Sequence, residues 1–150
     1  MTDIYRYQWR LTLQLLLWGT VSLLSGTVIL TGSEEPFLRG LAVQLIAWGA
    51  IDAILAATGA WKAWSGARSA PDEYGQVRKT VRLRRLLRIN ARLDVLYCLV
   101  GAGLIVFAST ALVRGHGAGV LLQGFFLLLF DGIHARRLPS ETPAWYDPAV

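Results

Sequence analysis

The sequence predicts an all-α integral membrane four-helix bundle built from two transmembrane hairpins in parallel repeat. Three observations predict it. The 150 residues are 54% hydrophobic, with a mean hydropathy of +0.44, yet they carry a formal net charge of +5. That balance fits a membrane protein whose charges are confined to loops. Second, the stretches Leu11–Thr31, Leu41–Trp61, Leu93–Val113 and Gly117–Ala135 approach the roughly 20 apolar residues that a helix needs to cross a bilayer core. They are apolar nearly all round, whereas soluble helices are usually apolar on one stripe. Third, the second and fourth stretches carry the same polar pattern, Gln44-x7-Asp52 and Gln123-x7-Asp131, with Gly40 and Gly119 each four residues before its Gln.

The chain reads as one domain over residues 1–150, with the four spans above and a basic loop at 62–92. Met1–Arg10 forms a short lead whose Tyr5, Tyr7 and Trp9 suit an interfacial aromatic belt, as do Trp61 and Trp64 after the second span. The first span is too long for a cleaved signal peptide and lacks an A-x-A site. The connection Gly32–Arg39, with Pro36, reads as a tight turn, and Ser65–Gly75 reads as a flexible loop. Gln76–Arg92 regains helical periodicity, with Leu83, Leu86 and Leu87 on one side and Arg78, Arg82 and Arg85 on another; it either runs into the third span or lies on the membrane surface. Pro139, Pro143 and Pro148 make the tail irregular.

The loops set the orientation. Lys62, Arg68, Arg78, Lys79, Arg82, Arg84, Arg85, Arg88 and Arg92 lie between the second and third spans, against Asp72 and Glu73. The other side of the membrane receives Glu34, Glu35, Arg39 and Arg114. An excess of Lys and Arg marks the cytoplasmic side, so both termini and the central loop are expected there.

Shifting the chain by 79 residues places Gly40 on Gly119, Gln44 on Gln123 and Asp52 on Asp131. Each unit holds two spans, so both copies have the same orientation and the expected pseudo-symmetry axis runs along the membrane normal. Along a helix, eight residues rise about 12 Å and turn roughly 80° beyond whole turns. Gly40, Gln44, Trp48, Asp52 and Ala56 therefore form one slowly turning stripe, and Gly119, Gln123, Leu127, Asp131 and Ala135 form its twin. Both Gln fall in the outer half and both Asp past the midplane. A charged Asp at a helix centre costs about 2.5–3.5 kcal/mol on insertion scales, so each must be paired, protonated or wetted.

The third span adds Asn90, Asp94 and Tyr97. The first span adds a stripe of Arg10, Gln14, Trp18 and Ser22, and His134 follows Asp131 by one turn. These residues define a candidate ligand, proton or cation network: Asp52, Asp94, Asp131, Gln44, Gln123, Gln14, Asn90, Tyr97 and His134, with Arg10 or Arg92 as candidate counter-charges. Desolvation favours the neutral form of a carboxyl group, which suits a proton-responsive site. The competing reading is interhelical glue that fixes the bundle. His116, at the outer end of the fourth span, reads as a satisfied interfacial histidine, and the lone Cys98 as a small apolar filler that excludes an intrachain disulfide. Ser22-x3-Gly26, Gly49-x3-Ala53, Ala53-x3-Ala57 and Gly115-x3-Gly119 offer close-packing patches.

No cofactor and no metal site is expected. G-x-S-x-G, H-E-x-x-H and Walker-type phosphate loops are absent, so an enzyme is the least favoured class. The expected partners are membrane lipids, with Arg82, Arg85 and Arg88 as headgroup contacts, and a second copy of the chain or a partner membrane protein. The basic run is accounted for by topology, and nucleic acid is not an expected partner.

The run Asn90–Tyr97 reads N-x3-LDV-x-Y, and Gln123–Asp131 reads QG-x-FLL-x-FD. Together they resemble an uncharacterised bacterial family of small four-span membrane proteins. The resemblance implies the four-helix fold and an inner-membrane location, and it implies no activity. Two functional classes remain: a membrane protein that binds or conducts a small ligand, cation or proton through its polar interior, and a non-catalytic membrane subunit or scaffold.

Overall fold

The computed structural model describes residues 3–68, 72–140 and 143–146. Among them are α1 (Ile4–Gly32), α2 (Pro36–Arg68), α3 (Glu73–Phe107) and α4 (Ala111–Arg137), and no strand. All four helices are long and apolar enough to cross a membrane. Their starts are set by side chains that accept the unpaired N–H groups of a first turn. Asp3 caps α1 through Tyr5 N and Arg6 N, Asp72 caps α3 through Gly75 N, and Thr110 caps α4 through Val113 N. Pro36 opens α2, and the Glu35 carboxylate accepts from Phe37 N at 3.1 Å and Leu38 N at 2.8 Å.

Helix limits depart from the sequence reading in three places. The third apolar run, expected to continue to Val113, stops as a helix at Phe107. Thr110 caps the next helix there, and Ala111–Gly117, apolar enough to pass for connection or span, is the first part of α4. The basic stretch 62–92 is largely helical among the described residues. α2 continues through Arg68, α3 begins at Glu73, and the part of the Ser65–Gly75 loop at 69–71 lies outside the described residues. Leu86 does not share the inward side of Leu87: Leu87 is buried and Leu86 is 57% exposed.

α1 packs along α2 and α3 along α4, and the two pairs join through α2 and α4, while α1 and α3 meet only slightly. Small residues make each of these close approaches. A Cβ on Gly19 would stand 2.8 Å from Gly49 O, and one on Gly26 the same distance from Ala42 O. On the other pair, a Cβ on Gly101 would stand 2.8 Å from Gly117 O. Between α2 and α4, Gly40 lies against Leu112 and His116, and Gly115 against Phe37, backbone to backbone. Gly119 lies on the Gln44 side chain.

These α2–α4 contacts cluster in the first half of both helices. Beyond them the space between the pairs is filled by side chains. Ile4, Leu11 and Leu15 of α1 meet Ala56, Leu87, Phe130, Ala135 and Leu138 in one apolar cluster. Large apolar residues on the outside, such as Leu17, Leu24, Val28, Leu99 and Phe107, remain exposed. That outward apolar surface is what a bilayer, not water, would cover.

Candidate functional site

Among the described residues, eight polar ones are buried in the bundle: Gln8, Thr12, Ser22, Asp52, Asp94, Gln123, Asp131 and His134. They fall into separate groups, not one network.

The first group is Asp52, Asp94 and Asp131, from α2, α3 and α4. Asp52 is 1% exposed and lies where α2 crosses α1, its Cβ against Gly19. Asp94 is one turn before the Gly124 contact between α3 and α4, where the Asp94 carbonyl itself faces Gly124. The three carboxyl groups are near enough for their charges to interact. Neither oxygen of Asp52 nor Oδ2 of Asp94 has a protein hydrogen-bond partner. The ion pairs among the described residues are Arg6–Asp3 and Arg39–Glu34, both at the surface. Arg10 and Arg92, the expected counter-charges, are exposed and pair with none of the three.

The second group is His134, and it belongs to α1 instead of the aspartates. Nδ1 receives the Tyr7 hydroxyl at 2.7 Å, and Nε2 donates to Gln14 Oε1 at 2.9 Å. Gln14 Oε1 can only accept, so the proton sits on Nε2 and Nδ1 is the acceptor. Both ring nitrogens are then used, and the expected link from His134 to Asp131 is not formed. The ring also meets Phe130 edge-on with centroids 4.7 Å apart. Tyr7, read from sequence as part of an interfacial belt, is the residue missed here. Its signal was faint, since a Tyr in the first turn of a membrane helix has an adequate explanation at the interface.

A third group surrounds Gln123, which is fully buried. Its Oε1 accepts from Trp18 Nε1 at 2.6 Å, and its Nε2 donates to Ser22 Oγ at 3.1 Å. Trp18 stacks on Phe126 with centroids 3.9 Å apart. The stripe Gln14, Trp18 and Ser22 thus faces α4 as a unit, and bridges two helices that make no close backbone approach among the described residues. Gln44 does not repeat this arrangement. It is half-buried, and Nε2 meets His116 Nδ1 at 3.1 Å. Tyr97 packs edge-on against Trp48.

Gln123 is a structural residue by this geometry. Gln123→Leu would leave the Trp18 N–H and the Ser22 hydroxyl without their partner. Such interhelical hydrogen bonds in membranes contribute about 0.6 kcal/mol on average and up to about 1.7. We expect a measurable fall in thermal stability in detergent, with proton chemistry at the aspartates unchanged.

The three arginines expected at lipid headgroups do not share one face. Arg85 and Arg88 line a hollow with Arg84 and Arg92, whereas Arg82 lines another with Gln8, Lys62 and Lys79. Among the described residues, no three of His, Cys, Asp and Glu converge closely enough to hold a metal ion.

Residues 14–132 match the model of a family of unknown function, DUF6992. No curated protein and no solved structure matches the chain.

Proposed function

The chain belongs to the DUF6992 family of unknown function, and we propose that it is a multi-pass membrane protein whose Asp52–Asp94–Asp131 cluster holds an exchangeable proton inside the bilayer. The observation that carries this reading is the Asp52 carboxyl. Both of its oxygens are buried without a protein partner, beside two further buried carboxyl groups and no cation.

Three negative charges cannot be held together in a low-dielectric interior without compensation. Protons supply it at no steric demand. The cluster would hold its proton while the site is dry, because desolvation favours the neutral carboxyl group, and would release it when a path to one side is wetted. Asn90, exposed and one turn before Asp94, provides a polar step toward the end of α3 that carries the arginines. The satisfied groups, Gln123 and His134, support the second reading, a membrane scaffold with polar residues as glue. That reading explains those two residues but not the unpartnered Asp52.

The proposal is tested by infrared difference spectroscopy of the protein in lipid vesicles. A carbonyl band of a protonated, buried carboxyl group that moves in D2O and changes with pH supports it. A spectrum with no such band favours the scaffold.

The proposal includes an orientation, with both termini and the α2–α3 connection in the cytoplasm of a bacterial cell. The balance of cations on either side of the spans supports it. Reporter fusions after Glu35, Asp72, Ser109 and Ser140 should read outside, inside, outside and inside. A periplasmic signal from the Asp72 fusion would reject the orientation.

A further inference from the structure

Arg84, Arg88 and Arg92 recur every fourth residue, so they rise along one side of α3. That side faces the end of α4, where Arg136 joins them in a groove of about 530 Å³. The other end of the same groove is lined by Leu128, Leu129 and Ile133. A neighbouring hollow of about 370 Å³ shares the three arginines and opens beside Pro139 and Ser140. Among the described residues, no acidic residue lines either space.

Arg84 is already engaged. Its Nε donates to Ala135 O at 3.4 Å and its Nη1 to Ser140 O at 3.3 Å, which ties α3 to the end of α4. Arg88, Arg92 and Arg136 are exposed and belong to no ion pair among the described residues. Three arginines line one groove with no acidic partner among the described residues.

We propose that this groove binds one anionic phospholipid, with the phosphate among Arg88, Arg92 and Arg136 and an acyl chain along Leu128, Leu129 and Ile133. The charge demands an anion, and planar guanidinium groups match phosphate oxygens in pairs. The apolar end demands a hydrocarbon tail, because Leu129 and Ile133 are 48% and 45% exposed and face outward from the bundle. A soluble phosphate would answer the first demand and leave the second unmet. The order along the groove also agrees with a bilayer: the leucines lie toward the middle of α4 and the arginines toward its end. This site is separate from the aspartate cluster and does not depend on its chemistry, though both require the helices to lie in a membrane.

The test uses the full-length protein in detergent, titrated with phosphatidylglycerol, phosphatidylcholine or glycerol phosphate, and read by native mass spectrometry and thermal stability. Phosphatidylglycerol should stay bound and raise the melting temperature, while the other two should not. Arg88→Gln/Arg92→Gln/Arg136→Gln should weaken that binding on the order of a hundredfold, from three near-surface cations. Arg78→Gln/Lys79→Gln/Arg82→Gln, on the other hollow, should leave it nearly unchanged. Equal loss in both variants would show a diffuse basic field and overturn the site. Equal stabilisation by glycerol phosphate, or by phosphatidylcholine, would overturn the choice of ligand. Should the first variant fail to fold, a photoactivatable phosphatidylglycerol on the wild-type protein decides the matter: peptides covering 128–136 should carry the label, and labelling confined to other helices would overturn the proposal.

Discussion

Replacing Gly115 by leucine should prevent the two helix pairs from joining. A Cβ at this position would collide with the backbone of Phe37, and one at Gly40 with the backbone of Leu112 and His116. A clash with a flexible side chain can be relieved by a new rotamer. A clash with backbone requires α2 and α4 to separate, and that contact joins the pairs. Overpacking ordinarily costs about 1–3 kcal/mol, occasionally more, and a backbone-on-backbone clash belongs at the upper end. Separation would also withdraw Gln44 from His116. The variant should elute as aggregate or lose its cooperative melting transition, and Gly40→Leu should do the same. Gly103 and Gly132 provide the controls, because a Cβ at either meets nothing within 4 Å. Gly132→Ala should be neutral or stabilising by up to about 1 kcal/mol through helix propensity. A Gly115→Leu protein that melts like wild type would mean that α2 and α4 do not join as described.

That contact was partly legible in the sequence. Gly40, Gly119 and the pair Gly115-x3-Gly119 stand out because small residues at helical spacing let backbones approach. Which helix they approach is not encoded in spacing. The four apolar runs were legible because a span needs a length of apolar sequence that few other structures need. Their ends were not: Thr110 caps a helix inside an apolar stretch, so hydropathy carries no mark there.

The aspartates were legible for the same reason that they are costly, since a carboxyl group in an apolar run has no bland explanation. Asp52, Asp94 and Asp131 are buried, and electrostatically they sense one another. The repeated Gln–Asp pattern suggested equal surroundings for its two copies. Partners depend on the facing helix, however. Gln123 meets Trp18 and Ser22 of α1, whereas Gln44 meets His116 of α4. The pairing of Tyr7 with His134 joins residues 127 positions apart, and no local pattern announces it.

Asp52→Asn is the substitution that separates a proton site from glue. The amide has almost the shape of the carboxyl, which matters because the Asp52 Cβ is pressed against Gly19 at the α1–α2 crossing. Like a protonated Asp52, the amide is polar and uncharged. Burying an amide also costs less than burying an ion. The folded state should therefore be kept, with thermal stability equal to wild type or somewhat higher. What the amide cannot do is exchange the proton. On the proposed function, the pH-dependent carboxyl band should lose the contribution of Asp52, and proton flux into reconstituted vesicles should fall to the level of empty liposomes. Asp131→Asn should do the same, because Asp131 is a second buried carboxyl group of the proposed cluster. On the scaffold reading, both variants and wild type give equal flux across pH 5–8, about the range in which a buried carboxyl or a histidine can titrate. Gln123→Leu completes the comparison. It should lower stability while leaving the carboxyl band in place, the reverse of the Asp52→Asn result. Stability and proton chemistry then move independently, which residues acting only as glue would not permit.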